Sequence, residues 1–188
     1  PFLRAEREGK AVFLSSGGTV YGNPDVVPTP EDHPVRPLCS YGIVKASIEH
    51  YAFLYQKLHG LAPVVLRPSN PYGPRQGHEG VQGLIATCLH RIHRGEPVVI
   101  WGDGTIVRDY IYIADLVRLI HLAGESAQTG VYNAGCGRGW SVNEVMQTIT
   151  EVTGRKPLIT YQAGRGFDVK RSALDIAKAS RDFPWLPR

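Results

Sequence analysis

Tyr41 and Lys45 lie four residues apart in the stretch Ser40-Tyr41-Gly42-Ile43-Val44-Lys45. On a helix that spacing stacks the two side chains on one face. An ammonium beside a phenol favours the phenolate. Such a phenol can exchange a proton near neutral pH, where a free tyrosine with a pKa of about 10 does not. With nine tyrosines in 188 residues, one such spacing is weak evidence by itself. The neighbouring segments have to carry the case.

The pair needs a helix, and residues 38–59 supply one. Ile43, Ile48, Ala52, Leu54 and Tyr55 recur at helical spacing, and Gly60 ends the run. Before it, residues 11–14 form a continuous apolar run that suits a strand buried on both faces of a parallel sheet. Ser15-Ser16-Gly17-Gly18-Thr19 follows at that strand's carboxyl end, where open α/β sheets bind ligands. Its glycines let the backbone pass close to a ligand and its hydroxyls offer hydrogen bonds; an ordinary strand-to-loop turn reads the same way. Residues 21–38 form a loop stiffened by Pro24, Pro28, Pro30, Pro34 and Pro37. Residues 63–66 are a second strand, which completes a βαβ unit.

Residues 67–74 are again polar and rich in glycine and proline at a strand's carboxyl end. A helix over 83–94 closed by Gly95, a strand over 97–101 and a turn over 102–104 come next. A short strand over 108–113, a helix over 114–124 and a strand over 131–134 follow. Ser141 and Glu144 have the spacing of a capping box for a helix that runs to Gly154. A strand over 158–161, a loop over 164–171 and a helix over 174–183 end the chain, and residues 1–9 read as the tail of a helix.

Composition narrows the function classes. A hydrophobic share of 43% and a charged share of 20% suit a globular protein. The chain has neither an apolar run long enough for a membrane span nor a signal-peptide core at its start. The net charge of +4 comes from scattered basic residues, which argues against nucleic acid and fits a few arginines serving an anionic small molecule. Cys39, Cys88 and Cys136 are far apart and odd in number, which points to reduced thiols in a cytoplasmic protein. His90 and His93 have no acidic or cysteine partner nearby, so no metal site is expected.

Five segments in one order carry a resemblance: Leu-Ser-Ser-Gly-Gly-Thr-Val-Tyr-Gly at 14–22, Tyr-Gly-Ile-Val-Lys at 41–45, Leu-Arg-Pro-Ser-Asn-Pro-Tyr-Gly at 66–73, Trp-Gly-Asp-Gly at 101–104 and Val-Arg-Asp-Tyr-Ile at 107–111. Together they resemble the extended short-chain dehydrogenase/reductases, most closely the NAD-dependent sugar-nucleotide epimerases and dehydratases of the UDP-glucose 4-epimerase group. The resemblance implies an α/β fold: the C-terminal part of a Rossmann-type doubly wound parallel sheet plus a smaller α/β substrate-binding domain. It assigns 1–68 and 109–136 to the NAD-binding domain, and 69–108 and 137–188 to the domain that binds a nucleotide sugar. It implies NAD as cofactor, a UDP-sugar as substrate, and a homodimer paired through two helices per subunit, one of them bearing Tyr41.

The implied chemistry is epimerisation at C4 through a 4-keto sugar. Tyr41 takes the proton of the sugar 4-hydroxyl, and Lys45 holds the nicotinamide ribose and tunes the phenol. Ser16 and Ser69 match positions near the cofactor, and Gly17, Thr19 and Asn70 positions near the substrate. Val99, Ile100 and Trp101 match the strand along which the uracil lies, although Trp101 is as readily a core residue. Arg108 matches the arginine on the diphosphate, and Arg165 and Asp168 a substrate-binding pair. The residue types suit these roles: a diphosphate favours a planar, permanently charged fork, and a ribose diol a carboxylate.

The sequence departs from the family pattern in four ways. No glycine-rich dinucleotide fingerprint precedes the Ser-Ser segment, so a fragment lacking the cradle for the NAD pyrophosphate is expected. Gly17 stands where the catalytic Ser or Thr belongs, leaving Ser16, Thr19 or a water to replace it. Val44 replaces a common serine, with little expected effect. Ser172 falls where some members carry a bulky tyrosine, which leaves room for an N-acetyl group on the sugar. Gly18 and Thr19 also replace the Asp-Glu pair of the dehydratases. The alternatives to an epimerase are a dehydratase or reductase of the same family or, for this chain alone, a non-catalytic nucleotide-sugar binding module.

Overall fold

The computed structural model describes residues 10–77, 83–164 and 169–188. In chain order the elements begin with β1 (Lys10–Leu14), α1 (Gly17–Val20), α2 (Ser40–His59), β2 (Ala62–Pro68) and β3 (Asn70–Tyr72). Next come α3 (Leu84–Arg94), β4 (Val98–Trp101), β5 (Val107–Arg108), β6 (Tyr110–Tyr112), α4 (Ile113–Glu125) and β7 (Gly130–Ala134). The last are β8 (Trp140–Ser141), α5 (Val142–Thr153), β9 (Ile159–Gln162), β10 (Arg171–Ser172) and α6 (Ala177–Asp182).

The fold is a mixed α/β arrangement with parallel sheets. β1, β2 and β7 form one parallel sheet in that order, with Leu14 opposite Leu66 and Leu66 opposite Tyr132. Its core joins Val64, Leu66 and Tyr132 to Leu116 and Leu119 of α4 and to Phe183 and Trp185 near the chain's end. A second core joins Cys88 and Ile92 of α3, Val98 and Ile100 of β4, and Val145, Met146 and Ile149 of α5. The Ser141–Glu144 capping box starts α5 as its spacing suggests, and Gly154 ends it at φ +66°.

Several expectations change. β1 is only half-buried instead of covered on both faces, because it is an edge strand among the described residues. α2 starts at Ser40, because Cys39 keeps an extended backbone and its sulfur accepts from the Gly42 N–H. The apolar residues Ile43, Ile48, Leu54 and Tyr55 have helical spacing but are exposed; the face toward the sheet holds Gly42, Ala46 and Glu49. The glycine-rich segment after β1 folds into the short helix α1. The strand expected over 108–113 is two strands, broken at the buried Asp109. β5 pairs with β8 and β10, whereas β6 pairs with β3, a strand inside the segment expected to be loop. The last helix is confined to Ala177–Asp182, where the Asp175 carboxylate accepts from the Ala177 N–H at 2.9 Å. Residues 1–9, with their expected helix tail, lie outside the described residues.

Candidate active site

Tyr41 occupies the first turn of α2 and is 54% exposed. Lys45, one turn on, donates from Nζ to the Leu14 carbonyl at 2.8 Å, at the carboxyl end of β1. The same ammonium lies 5.6 Å from the Tyr41 ring centroid and 5.0 Å from that of Phe13. The pair therefore shares a face at the sheet's carboxyl edge, with the ammonium against the ring and anchored on a backbone oxygen. Gly42 permits the approach. A Cβ there would sit 2.9 Å from Pro37 Cβ and 3.0 Å from the Thr19 carbonyl oxygen, so only glycine lets α2 pack this closely on α1.

Hydroxyls surround this edge unevenly. Ser15 is buried and donates to Glu49. Ser16 N-caps α1 without a side-chain hydrogen bond. Gly17 is closed to any side chain, because a Cβ would lie 2.6 Å from Leu174 Cδ1 and 2.8 Å from the Arg67 carbonyl oxygen. A Cβ on Gly18 would meet open space. Thr19 Oγ1 is buried with no hydrogen-bond partner among the described residues. Ser69 Oγ is also buried; it lies near enough to the Asp109 carboxylate to favour its charged form, without the geometry of a hydrogen bond.

Beneath the edge runs a buried polar network. Arg67 on β2 makes a two-pronged ion pair with Glu49 on α2: Nη2 to Oε2 at 2.6 Å and Nε to Oε1 at 3.1 Å, with both side chains 5% exposed. Arg67 Nη1 donates to the Tyr21 hydroxyl at 2.8 Å, and that hydroxyl donates to Asn133 Oδ1 at 2.7 Å. Burial alone would pull Arg67 down, but Glu49 and Tyr21 hold it above its ordinary value. Burial raises the Tyr21 phenol, against the opposing pull of Arg67. Neither Tyr21 nor Arg67 is a free acid–base group.

The second half of the site hangs on Asp109. Its carboxylate accepts from the Cys136 N–H at 2.8 Å and the Leu174 N–H at 3.1 Å, and its carbonyl accepts from the Asn70 side chain at 2.8 Å. Burial holds this carboxyl above its ordinary value. Gly135 is required here, since a Cβ would lie 2.3 Å from Asp109 Oδ2. Beside Asp109, Arg108 donates to the carbonyls of Val107 and Val169, at 2.9 and 2.6 Å. Ser172 is Arg108's sheet partner and is 8% exposed, so these two candidate residues are neighbours. In β4, Ile100 faces the second core, whereas Trp101 is exposed and Val99 half-buried.

Tyr41, Lys45, Ser16, Gly17 and Thr19 thus gather at the end of β1, with Ser69 and Asn70 at the end of β2. Arg108 and Ser172 pair on the neighbouring sheet, joined to the first group through Asp109 and through the contact of Leu174 with Gly17. Val99, Ile100 and Trp101 lie on β4, hydrogen-bonded to β9. Arg165 and Asp168 lie outside the described residues. The sequence reading gave no role to Glu49, Tyr21 or Asp109. Glu49 had a signal, since it follows Lys45 by four residues and Tyr41 by eight, on the same face.

A family model described as the NAD dependent epimerase/dehydratase family matches residues 2–135. The chain is 37% identical to a putative UDP-glucose 4-epimerase of Methanocaldococcus jannaschii, covering 95% of this chain and 58% of that protein. It resembles the crystal structure of the UDP-glucose 4-epimerase of Thermotoga maritima with UDP-glucose at a TM-score of 0.94 and 41% identity, covering 99% of this chain and 60% of that one. The Thermus thermophilus UDP-glucose 4-epimerase in complex with NAD gives a TM-score of 0.91 at 36% identity, covering 99% of this chain and 61% of that one. The chain therefore spans about three fifths of the length of these relatives.

Proposed function

The chain belongs to the NAD-dependent epimerase/dehydratase family, and from that premise we propose that the whole protein epimerises a UDP-sugar at C4 through a 4-keto intermediate. NAD is the family's cofactor, and when bound it supplies the acceptor and donor of hydride. The residues at the ends of β1 and β2 suit its nicotinamide end: an exposed phenol, an ammonium, and the buried, unpartnered Thr19 hydroxyl. Tyr41 takes the proton from the sugar 4-hydroxyl and later returns it. Lys45, held on the Leu14 carbonyl, keeps positive charge against the phenol's ring and offers a donor to the ribose. Because Gly17 cannot carry a hydroxyl, Thr19 fills that role; its backbone packs on Gly42, next to Tyr41. Ser16, Ser69 and Asn70 line the same edge, and Arg108 binds the diphosphate. Val99 and Trp101 border the base, with Ile100 behind them in the second core. Arg165 and Asp168 complete the substrate contacts. In this reading 1–68 with 109–136 form the cofactor domain, and 69–108 with 137–188 the substrate domain.

The observation that carries the reading is the Tyr41–Lys45 face at the carboxyl edge of β1. Its test is Tyr41→Phe in a chain preceded by the amino-terminal portion of the Thermotoga maritima epimerase. Turnover of UDP-glucose should fall at least ~1,000-fold while UDP-glucose affinity stays within about threefold; retained turnover refutes the assignment. The absence of a side chain at Gly17 favours a second reading, a non-catalytic nucleotide-sugar module. UDP binding without turnover in the extended chain would support it. The Gly18-Thr19 pair disfavours a dehydratase. Ser172, small and adjacent to Arg108, leaves space for an N-acetyl sugar, so Ser172→Tyr should depress turnover of UDP-N-acetylglucosamine selectively; equal loss on both substrates refutes this.

The protein also pairs as a homodimer through α2. Val44, Ile48, Tyr51, Tyr55 and Leu58 recur at alternating spacings of four and three, the pattern of a helix–helix seam, and all are exposed.

A further inference from the structure

We infer that the buried Glu49–Arg67 pair is the positioning device that sets where Tyr41 and Lys45 stand over the sheet. The inference rests on the epimerase reading only for its effect on turnover. α2 buries three residues against the rest of the molecule: Gly42, Ala46 and Glu49. Two of them have almost no side chain, and of the helix's large apolar residues only Phe53 is half-buried on that face, so non-directional apolar packing fixes the depth of this helix more than its register along the sheet. Glu49 supplies what is missing. Its carboxylate takes both prongs of Arg67 on β2 and the hydroxyl of Ser15 at the end of β1. Two-pronged pairing is directional and tolerates little sliding. The residue before Ser15 is Leu14, whose carbonyl holds Lys45. Leu14 and Ser15, adjacent residues at the carboxyl end of β1, thus grip adjacent turns of α2, and Tyr41 lies one turn beyond. Arg67 is itself fixed by Tyr21, which Asn133 on β7 holds. The helix is keyed to all three strands of the sheet.

A buried ion pair is not needed for stability alone, since apolar residues of similar volume often replace one without loss. That separates positioning from mere support. In the double variant Glu49→Leu/Arg67→Met the cavity is filled and no charge is left unpaired, so the fold should persist. In the 188-residue chain, amide hydrogen exchange at residues 42–47 should then quicken at least ~10-fold, while α4 amides keep their rates. In the chain extended with the Thermotoga maritima segment, kcat should fall about 10- to 100-fold with KM within about threefold, the signature of a misplaced reacting group. The single variant Glu49→Gln should show the same division between kcat and KM if it folds. Unchanged exchange at 42–47 in the double variant overturns the inference whatever the activity. So does loosened exchange with unchanged kcat. If the extended but unsubstituted chain is inactive, the epimerase reading fails, and the exchange result still decides whether the pair fixes α2.

Discussion

α2 and α4 both pack on the β1–β2–β7 sheet, and they are held by opposite means. α4 buries Leu116, Leu119 and Ala123 in the core beside Val64, Leu66 and Tyr132. Its buried charge, Asp115, sits in the first turn, paired with Arg118 at 3.0 Å and capped by the Arg188 N–H. α2 turns glycine, alanine and a glutamate inward and, Phe53 apart, its large apolar residues outward. Hydrophobic burial is non-directional, so it holds α4 firmly and leaves its exact height to side-chain fit. A two-pronged ion pair fixes position at the cost of desolvating two charges. The helix that carries the proposed chemistry is the one fixed by direction.

The sharpest way to break this contrast is to remove one partner of the pair. Arg67→Met leaves Glu49 charged and buried, and should cost about 3–5 kcal/mol of unfolding free energy. Urea denaturation measures it; a loss under about 1 kcal/mol would mean that Glu49 reaches water or another partner. The matching change in α4 is Leu119→Ala, a fully buried side chain. Cavity formation should cost about 3 kcal/mol, with no change in hydrogen exchange at Lys45. Selective loosening of α2 by this substitution would show that the two helices are not held independently.

A smaller effect tests the buried Asp109 carboxyl by pH. Burial, opposed by the N–H groups of Cys136 and Leu174, holds the Asp109 carboxyl above its ordinary value. The folded state therefore binds that proton more readily than the unfolded chain does. The stability this group contributes is complete below pH about 4 and is lost as pH rises through its raised folded value. Asp109→Asn removes the titration but sets an amide against a backbone N–H, so it should lower stability by about 1–3 kcal/mol. Its stability should also vary less with pH on the acid side of neutrality than that of the unsubstituted chain. Parallel pH curves for the two proteins would rule out Asp109 as the titrating group.

Much of this architecture was legible in the sequence, for local reasons. Short apolar runs marked β1 and β2, and Ser141 with Glu144 marked the start of α5, because caps and buried strands are written in adjacent residues. The four-residue spacing of Tyr41 and Lys45 sufficed to put them on one face. Non-local features were not legible. β3 and β6 are short, and each is a strand only because the other is its partner, 40 residues away in register. The outward turn of Ile43, Ile48 and Leu54 defeats the rule that helical apolar spacing points to the core, because the face toward the sheet is given to Gly42, Ala46 and Glu49. The Glu49–Arg67 bond joins residues on different elements, and composition carries no sign of it. Gly17 was legible as a departure, but its cause, the crowding by Leu174 and the Arg67 carbonyl, appears only in three dimensions.

The smallest expected change in stability sharpens the contrast most. If the outward face of α2 does no work within one subunit, Ile48→Ser should alter its unfolding free energy by no more than about 0.5 kcal/mol at high dilution. The same substitution in α4, Leu119→Ser, should cost more than Leu119→Ala, since it adds a buried hydroxyl to the cavity. At higher concentration the outcomes reverse. Sedimentation equilibrium should show Ile48→Ser weakening self-association at least ~10-fold, because Ile48 lies within the proposed Val44–Leu58 seam, whereas Leu119→Ala should leave association unaltered in the folded fraction. A monomeric unsubstituted chain at all concentrations would remove the seam's role. A large stability loss for Ile48→Ser at high dilution would mean that the outward stripe packs within the subunit after all, and that the ion pair shares the placement of Tyr41 with apolar contacts.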